Sequence, residues 1–83
     1  MPIPTLSKKA EKEFIKLGKA EREKVHRKLK ALETNPFAGK PLTGELKNLF
    51  SLKAWPYRII YEFNKSANYI KVHKIEHRQG VYK

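Results

Sequence analysis

The sequence predicts an α+β domain in which an α-helical hairpin packs on one face of a small, mainly antiparallel β-sheet. The first half of the chain has apolar residues at helical spacing on both sides of Gly18. The second half alternates apolar and polar residues with the period of two that is typical of β-strands. Because a helical hairpin needs a sheet to cover its apolar faces, the predicted order of elements is β-α-α-β-β-β.

The N-terminal half is predicted to contain an edge strand and two helices. Met1–Leu6 has two prolines, which restrict it to an edge strand or an extended lead-in. Ser7 is a suitable N-cap for a first helix, which Gly18 ends. A second helix is predicted from about Ala20 to Glu33, where Asn35-Pro36 stops it.

Three strands are predicted in the C-terminal half. Leu49–Ala54 and Tyr57–Phe63 alternate in phase and form a hairpin at Trp55-Pro56, which places Lys53 opposite Arg58. Two like charges directly opposite each other destabilise a sheet, so this pair indicates a face that binds an anion. In the third strand, Tyr69–Ile75, the last residue falls out of phase and predicts a bulge or the end of pairing. The sheet face left open by the helices would carry Ser51, Lys53, Arg58, Ile60, Glu62, Lys71 and His73.

Composition indicates one basic domain, residues 1–83, with a polyanionic partner. Nineteen Lys and Arg against eight Glu, with no Asp, give a formal charge of +11, which favours nucleic acid or a strongly acidic protein as ligand. No apolar run approaches the roughly 20 residues of a membrane span, and no signal peptide is recognisable, so we expect a soluble cytoplasmic protein. The absence of Cys and Asp and of a Gly-rich phosphate loop predicts no metal and no cofactor.

A group of basic and titratable residues could carry phosphate chemistry. Arg58, Lys53 and Arg78 could hold a phosphate and stabilise the extra charge of its transition state. His77 could give or take a proton as general acid or base, and Tyr82 could stack on a base or orient the scissile phosphate. These residues would suffice for metal-free RNA cleavage with the ribose 2′-OH as nucleophile. Structural roles for His77 and Tyr82 are the alternative interpretation.

The order of motifs LTGEL, LFSLKAWPYRIIYEF and YIKVHKIEHRQGVY resembles the RelE/ParE superfamily of prokaryotic toxin–antitoxin toxins. The resemblance covers nearly the whole chain and implies a RelE-like fold. It also implies a type II toxin that acts as an mRNA interferase, an endoribonuclease that cuts mRNA in the ribosomal A site without a metal and inhibits translation. The implied partner is an acidic antitoxin, with which the monomeric toxin would form a hetero-oligomer.

Position by position, the resemblance implies the following roles. Arg58 matches the central-strand arginine that stabilises transition-state charge, and Lys53 matches the strand position that grips phosphate. His77 and Arg78 match the closing basic pair, one member of which protonates the leaving oxygen, and Tyr82 matches the terminal tyrosine. The remaining RNA- or phosphate-binding candidates on the basic face are Lys40, Lys71 and His73.

Departures from the family pattern leave the general base open. Ser51 and Leu49 stand where some relatives have catalytic lysines, and Lys40 stands where others have an acid, so Lys53, Lys40 or His77 could be the base. Glu76 replaces the glycine before the closing histidine. The alternatives are a ParE-like toxin that binds DNA gyrase without nuclease activity, or a catalytically degenerate RelE homologue.

Overall fold

In a computed structural model of the protein, which describes residues 2–44 and 48–78, the elements follow the predicted order with one addition. The addition is a two-residue strand, Lys40–Pro41, which was not predicted. The elements are β1 Pro4–Leu6, α1 Lys8–Lys16, α2 Lys19–Thr34, β2 Lys40–Pro41, β3 Leu49–Ala54, β4 Tyr57–Asn64 and β5 Tyr69–His77. The described strands form one sheet in the order β1-β5-β4-β3-β2, in which β1 runs parallel to β5 and all other neighbours are antiparallel. The predicted α+β fold is confirmed.

The two helices begin and end close to their predicted positions. The Ser7 hydroxyl accepts a hydrogen bond from the Ala10 N–H at 3.1 Å, so Ser7 is the N-cap of α1. Gly18 occupies the N-cap position of α2, so it starts the second helix as well as separating it from the first. Asn35 caps the end of α2, and Pro36 prevents its continuation. No helix in the described part of the chain is long and apolar enough to cross a membrane.

The core lies between the helices and one face of the sheet. The predicted hairpin register is confirmed, with Ala54 opposite Tyr57 and Lys53 opposite Arg58. The buried side chains in this core include Ala10, Val25, Leu29 and Leu32 from the helices and Ile59, Tyr61, Ile70, Val72 and Ile75 from the strands. The opposite sheet face, which we call the open face, therefore carries the side chains that alternate with these.

A β-bulge at His73 changes which residues of β5 reach the open face. Ile60 pairs with Lys74 while Tyr61 pairs with Val72, so β5 has one extra residue at this point. The out-of-phase position of Ile75 is thereby explained, because the bulge returns this side chain to the core. Ile75 lies beyond the last residue of β5 that pairs with β1, and its N–H donates to the Glu13 carboxylate of α1 at 2.9 Å.

Tyr61 joins the sheet to the segment that leads into β2. Its fully buried phenol donates to the Pro36 carbonyl at 2.7 Å and accepts from the Gly39 N–H at 2.9 Å. Burial raises the pKa of the Tyr61 phenol, which therefore remains a neutral donor. A Cβ at Gly39 would lie 2.8 Å from the Tyr61 ring and hydroxyl, so glycine permits this close approach.

Candidate nucleic-acid interface

Three rows of cross-strand neighbours on the open face contain charged side chains. The first row contains Lys53, Arg58 and Glu76, the second contains Lys40, Ser51, Ile60 and Lys74, and the third contains Leu49, Glu62 and Lys71. In these described rows, five Lys or Arg side chains stand against two Glu, so this face has a positive excess charge. A basic sheet face of this kind can bind the phosphates of a nucleic acid.

Arg58 is placed on the open face as predicted, but its nearest ionic partner is internal. Its Nη2 lies 3.5 Å from Glu76 Oε1, and the other carboxylate oxygen lies 3.6 Å from Lys74 Nζ. The Arg58 side chain is 43% exposed, and among the described residues its Nε has no hydrogen-bond partner. The anion that the Lys53–Arg58 pair predicted is therefore supplied, in part, by a carboxylate of the same chain.

Lys74 and Glu76 were not among the predicted site residues. Regular alternation from Lys71 would have placed both side chains on the helix-covered face, and the bulge at His73 reverses this assignment. The signal in the sequence was the out-of-phase Ile75, which indicated a bulge without showing which later residues would change face.

The same bulge places His77 away from Arg58. His77 pairs with Tyr57 on the helix-covered side, and the two rings meet edge to face with their centroids 5.4 Å apart. The Tyr57–His77 pair is nevertheless next to the Arg58–Glu76 pair, at the end of the sheet that contains the Trp55-Pro56 turn. The structure therefore brings Lys53 and Arg58 together but places His77 on the other face.

Arg78 lies at the same turn, against the ring of Trp55, which was not among the predicted site residues. Its guanidinium is 4.2 Å from the ring centroid of Trp55, and its N–H donates to the Pro56 carbonyl at 2.8 Å. Lys24 of α2 donates to the Trp55 carbonyl at 2.7 Å, and the Trp55 side chain is 61% exposed. Tyr82, the remaining predicted catalytic residue, lies outside the described residues.

The other predicted phosphate-binding residues are spread over the open face. Lys40 lies on β2 opposite Ser51, and Lys71 is exposed opposite Glu62. His73 Nε2 lies 3.0 Å from one Glu62 carboxylate oxygen, and the Tyr69 hydroxyl donates to the other at 3.0 Å. Both hydrogen bonds lower the pKa of Glu62, and the one with His73 has the larger effect. His73 is therefore oriented by a carboxylate.

No group of three or more His, Cys, Asp or Glu side chains with metal-binding geometry occurs within residues 2–44 and 48–78.

The fold is similar to those of several solved toxins. The toxin–antitoxin complex RelBE2 from Mycobacterium tuberculosis contains a chain that is 25% identical, with a TM-score of 0.85 over 94% of this chain and 100% of that chain. The archaeal RelE–RelB complex from Pyrococcus horikoshii is similar at 22% identity and a TM-score of 0.78, over 96% and 98% of the two chains. A YoeB/ParE toxin from Agrobacterium tumefaciens has 18% identity and a TM-score of 0.80, over 93% and 98%.

Comparison at the level of sequence gives a family assignment. A search of curated protein sequences finds no match. The family model described as the ParE toxin of the type II toxin–antitoxin system parDE matches residues 5–82. The resemblance to the RelE/ParE superfamily is thereby confirmed, and since the match spans nearly the whole chain, the protein belongs to the ParE toxin family of type II toxin–antitoxin systems.

Proposed function

We propose that this toxin cuts mRNA at the ribosome and so inhibits translation, with the open face of its sheet in contact with the RNA. The observation that carries the proposal is the position of Arg58, which lies half-exposed on a basic face with Lys53 directly opposite. A guanidinium beside the scissile phosphate stabilises the negative charge that accumulates as the ribose 2′-OH attacks phosphorus. RNA binding without cleavage would need only the lysines of the open face.

Of the three candidate bases, the geometry favours Lys53. Lys53 lies opposite Arg58 in the same row, whereas Lys40 lies on another strand and in the next row, and His77 lies on the other face. A base must reach the 2′-OH while Arg58 contacts the neighbouring phosphate, and this requires adjacent positions on one face. Lys53, as the neutral amine, would therefore accept the proton of the attacking hydroxyl.

The closing residues keep the roles that the family resemblance implies. His77 and Arg78 lie at the Trp55-Pro56 end of the sheet, one row from Arg58. RNA that crosses the open face and bends around this end would meet them, so that one of the two protonates the leaving 5′-oxygen. Tyr82 would orient the RNA or stack on a base.

The proposed partner of the free toxin is an acidic antitoxin. The solved complexes of similar fold contain an antitoxin chain, which supports a partner of this kind. A formal charge of +11 favours a partner with an excess of acidic residues, because like charges repel during assembly. Its carboxylates would cover the open face and so exclude RNA.

The test is cleavage of mRNA in a translation extract that receives the purified toxin. Wild-type protein should cut mRNA within codons, and Arg58→Ala should lower the cleavage rate on the order of a hundredfold or more with a much smaller effect on RNA binding. Arg27→Ala is the matched control, since Arg27 is an exposed arginine of α2 that lies away from the open face. A folded Arg58→Ala variant that cleaves like wild type would refute this assignment.

A second candidate function is inhibition of DNA gyrase without nuclease activity. Two observations favour it: Glu76 pairs with Arg58, and His77 lies on the opposite face from Arg58. The matching family model, which bears the name of ParE, is also consistent with it. Inhibition of supercoiling by a toxin that leaves mRNA intact in the extract would establish this alternative.

A further inference from the structure

The Glu76 carboxylate lies between two cations of the open face. Its two oxygens are 3.5 Å from Arg58 Nη2 and 3.6 Å from Lys74 Nζ, and only 22% of its side chain is exposed. Arg58 and Glu76 are direct cross-strand neighbours, so the strand register itself brings their charges together. A carboxylate held in this way occupies the position that an oxyanion of a ligand would take between the same two side chains.

We infer that Arg58 and Lys74 form a phosphodiester-binding site in which Glu76 acts as an internal competitor of the RNA phosphate. The inference rests on the proposal that the open face contacts RNA, and it adds Lys74 as a ligand and Glu76 as an autoinhibitory residue. A phosphate that binds here must displace the carboxylate, which then turns towards solvent.

Salt dependence distinguishes this site from general attraction to a basic surface. Each phosphate contact to a single strand releases condensed counterions, and the slope of log affinity against log salt changes by about −0.7 for each contact. An internal carboxylate is not released to bulk, so the cations that it neutralises contribute less to the slope. Removing the charge of Glu76 should therefore steepen the slope by about 0.7 if one full contact is regained.

The experiment measures binding of a short single-stranded RNA whose 2′-hydroxyls are methylated, so that the protein cannot cleave it. Fluorescence anisotropy is recorded over a range of salt concentrations for wild type and Glu76→Gln. We expect Glu76→Gln to bind on the order of tenfold more tightly at about 50 mM salt, with the two affinities converging towards about 1 M salt. Glu76→Ala must give the same direction, because the effect depends on removing the charge and not on the replacing side chain.

Glu62→Gln is the matched control. It removes the same charge from the same face, but Glu62 lies in a different row from Arg58 and its hydrogen-bond partners are a histidine and a phenol. Its cross-strand neighbour Lys71 forms no salt bridge with it, unlike Arg58 and Lys74 with Glu76. Its salt slope should remain close to that of wild type. A second substitution, Arg58→Ala, should abolish the gain in the Glu76→Gln background.

Equal salt slopes for wild type and Glu76→Gln, or equal steepening by Glu62→Gln, would overturn the inference. Weaker RNA binding by folded Glu76→Gln and Glu76→Ala would also overturn it, since it would make Glu76 a support for the site instead of a competitor. The outcome is separate from that of the proposed function. If the toxin cuts mRNA but Glu76→Gln does not change RNA binding, the proposed function stands and this inference fails. If Glu76→Gln changes RNA binding as expected but the toxin does not cut mRNA, this inference stands and the proposed function fails.

Discussion

Tyr61→Phe is expected to destabilise the fold by about 2–4 kcal/mol, because one hydroxyl serves two backbone groups. The change removes the donor to Pro36 O at 2.7 Å and the acceptor for Gly39 N–H at 2.9 Å. Gly39 is buried, so its N–H loses a partner that water cannot readily replace, at a cost of about 1–3 kcal/mol. Pro36 is half-buried, so the loss of the hydrogen bond to its carbonyl is expected to cost about 1 kcal/mol. The phenylalanine ring retains the stacking on Phe50.

The assay is urea denaturation followed by circular dichroism, supported by thermal unfolding. For a domain of this size, the expected loss corresponds to a decrease in Tm of about 8–32 °C. Tyr69→Phe is the matched control, since its hydroxyl bonds Glu62 at an exposed position and its loss should change stability by less than about 0.5 kcal/mol. If Tyr61→Phe were as stable as Tyr69→Phe, the phenol would not be what holds this segment in place.

Three further outcomes can be measured with the same protein. Gly39→Ala should be strongly destabilising, because the new Cβ would lie 2.8 Å from Tyr61 and 3.1 Å from the Ser51 carbonyl; a denaturant midpoint equal to that of wild type would contradict this contact. The folded-state pKa of Glu62 lies below its ordinary value of 4.5, so its ionised form stabilises the fold above that pH. Wild type should therefore exceed Glu62→Gln in stability at neutral pH and lose this advantage as the pH falls below about 4.5. Denaturation at several pH values measures the difference, and a difference that does not decrease at low pH would contradict this prediction. Leu32→Ala should destabilise the fold by about 2–5 kcal/mol, because Leu32 is fully buried in the core, and chemical denaturation giving a loss below about 1 kcal/mol would indicate that the core collapses around the site.

Local sequence patterns were sufficient for much of the fold. Ser7 predicted the start of α1 through its own hydrogen bond to a nearby backbone N–H, and Asn35-Pro36 predicted the end of α2. The alternation on both sides of Trp55-Pro56 predicted the hairpin register, including the Lys53–Arg58 pair. These features depend on residues that are close in the chain, so the amino-acid types determine them directly.

The β5 end of the site could not be predicted in the same way. Regular alternation from Lys71 would place His77 on the open face and Glu76 on the helix-covered face. The bulge at His73 exchanges these positions, because one extra residue in a strand reverses the face of every side chain that follows. The out-of-phase Ile75 indicated a bulge, but the pairing of β5 with β4 and β1 set the position of that bulge.

By itself, the sequence determined a basic α+β fold, its helical hairpin, and an open sheet face on which Lys53 lies beside Arg58. Only the tertiary structure decided which charges contact Arg58. Glu76 is 18 residues away along the chain, and it reaches Arg58 because β5 pairs with β4 in a register that the bulge has shifted. Side-chain alternation is a property of one strand, whereas the partner of a charge depends on the alignment of two strands, and long-range packing fixes that alignment.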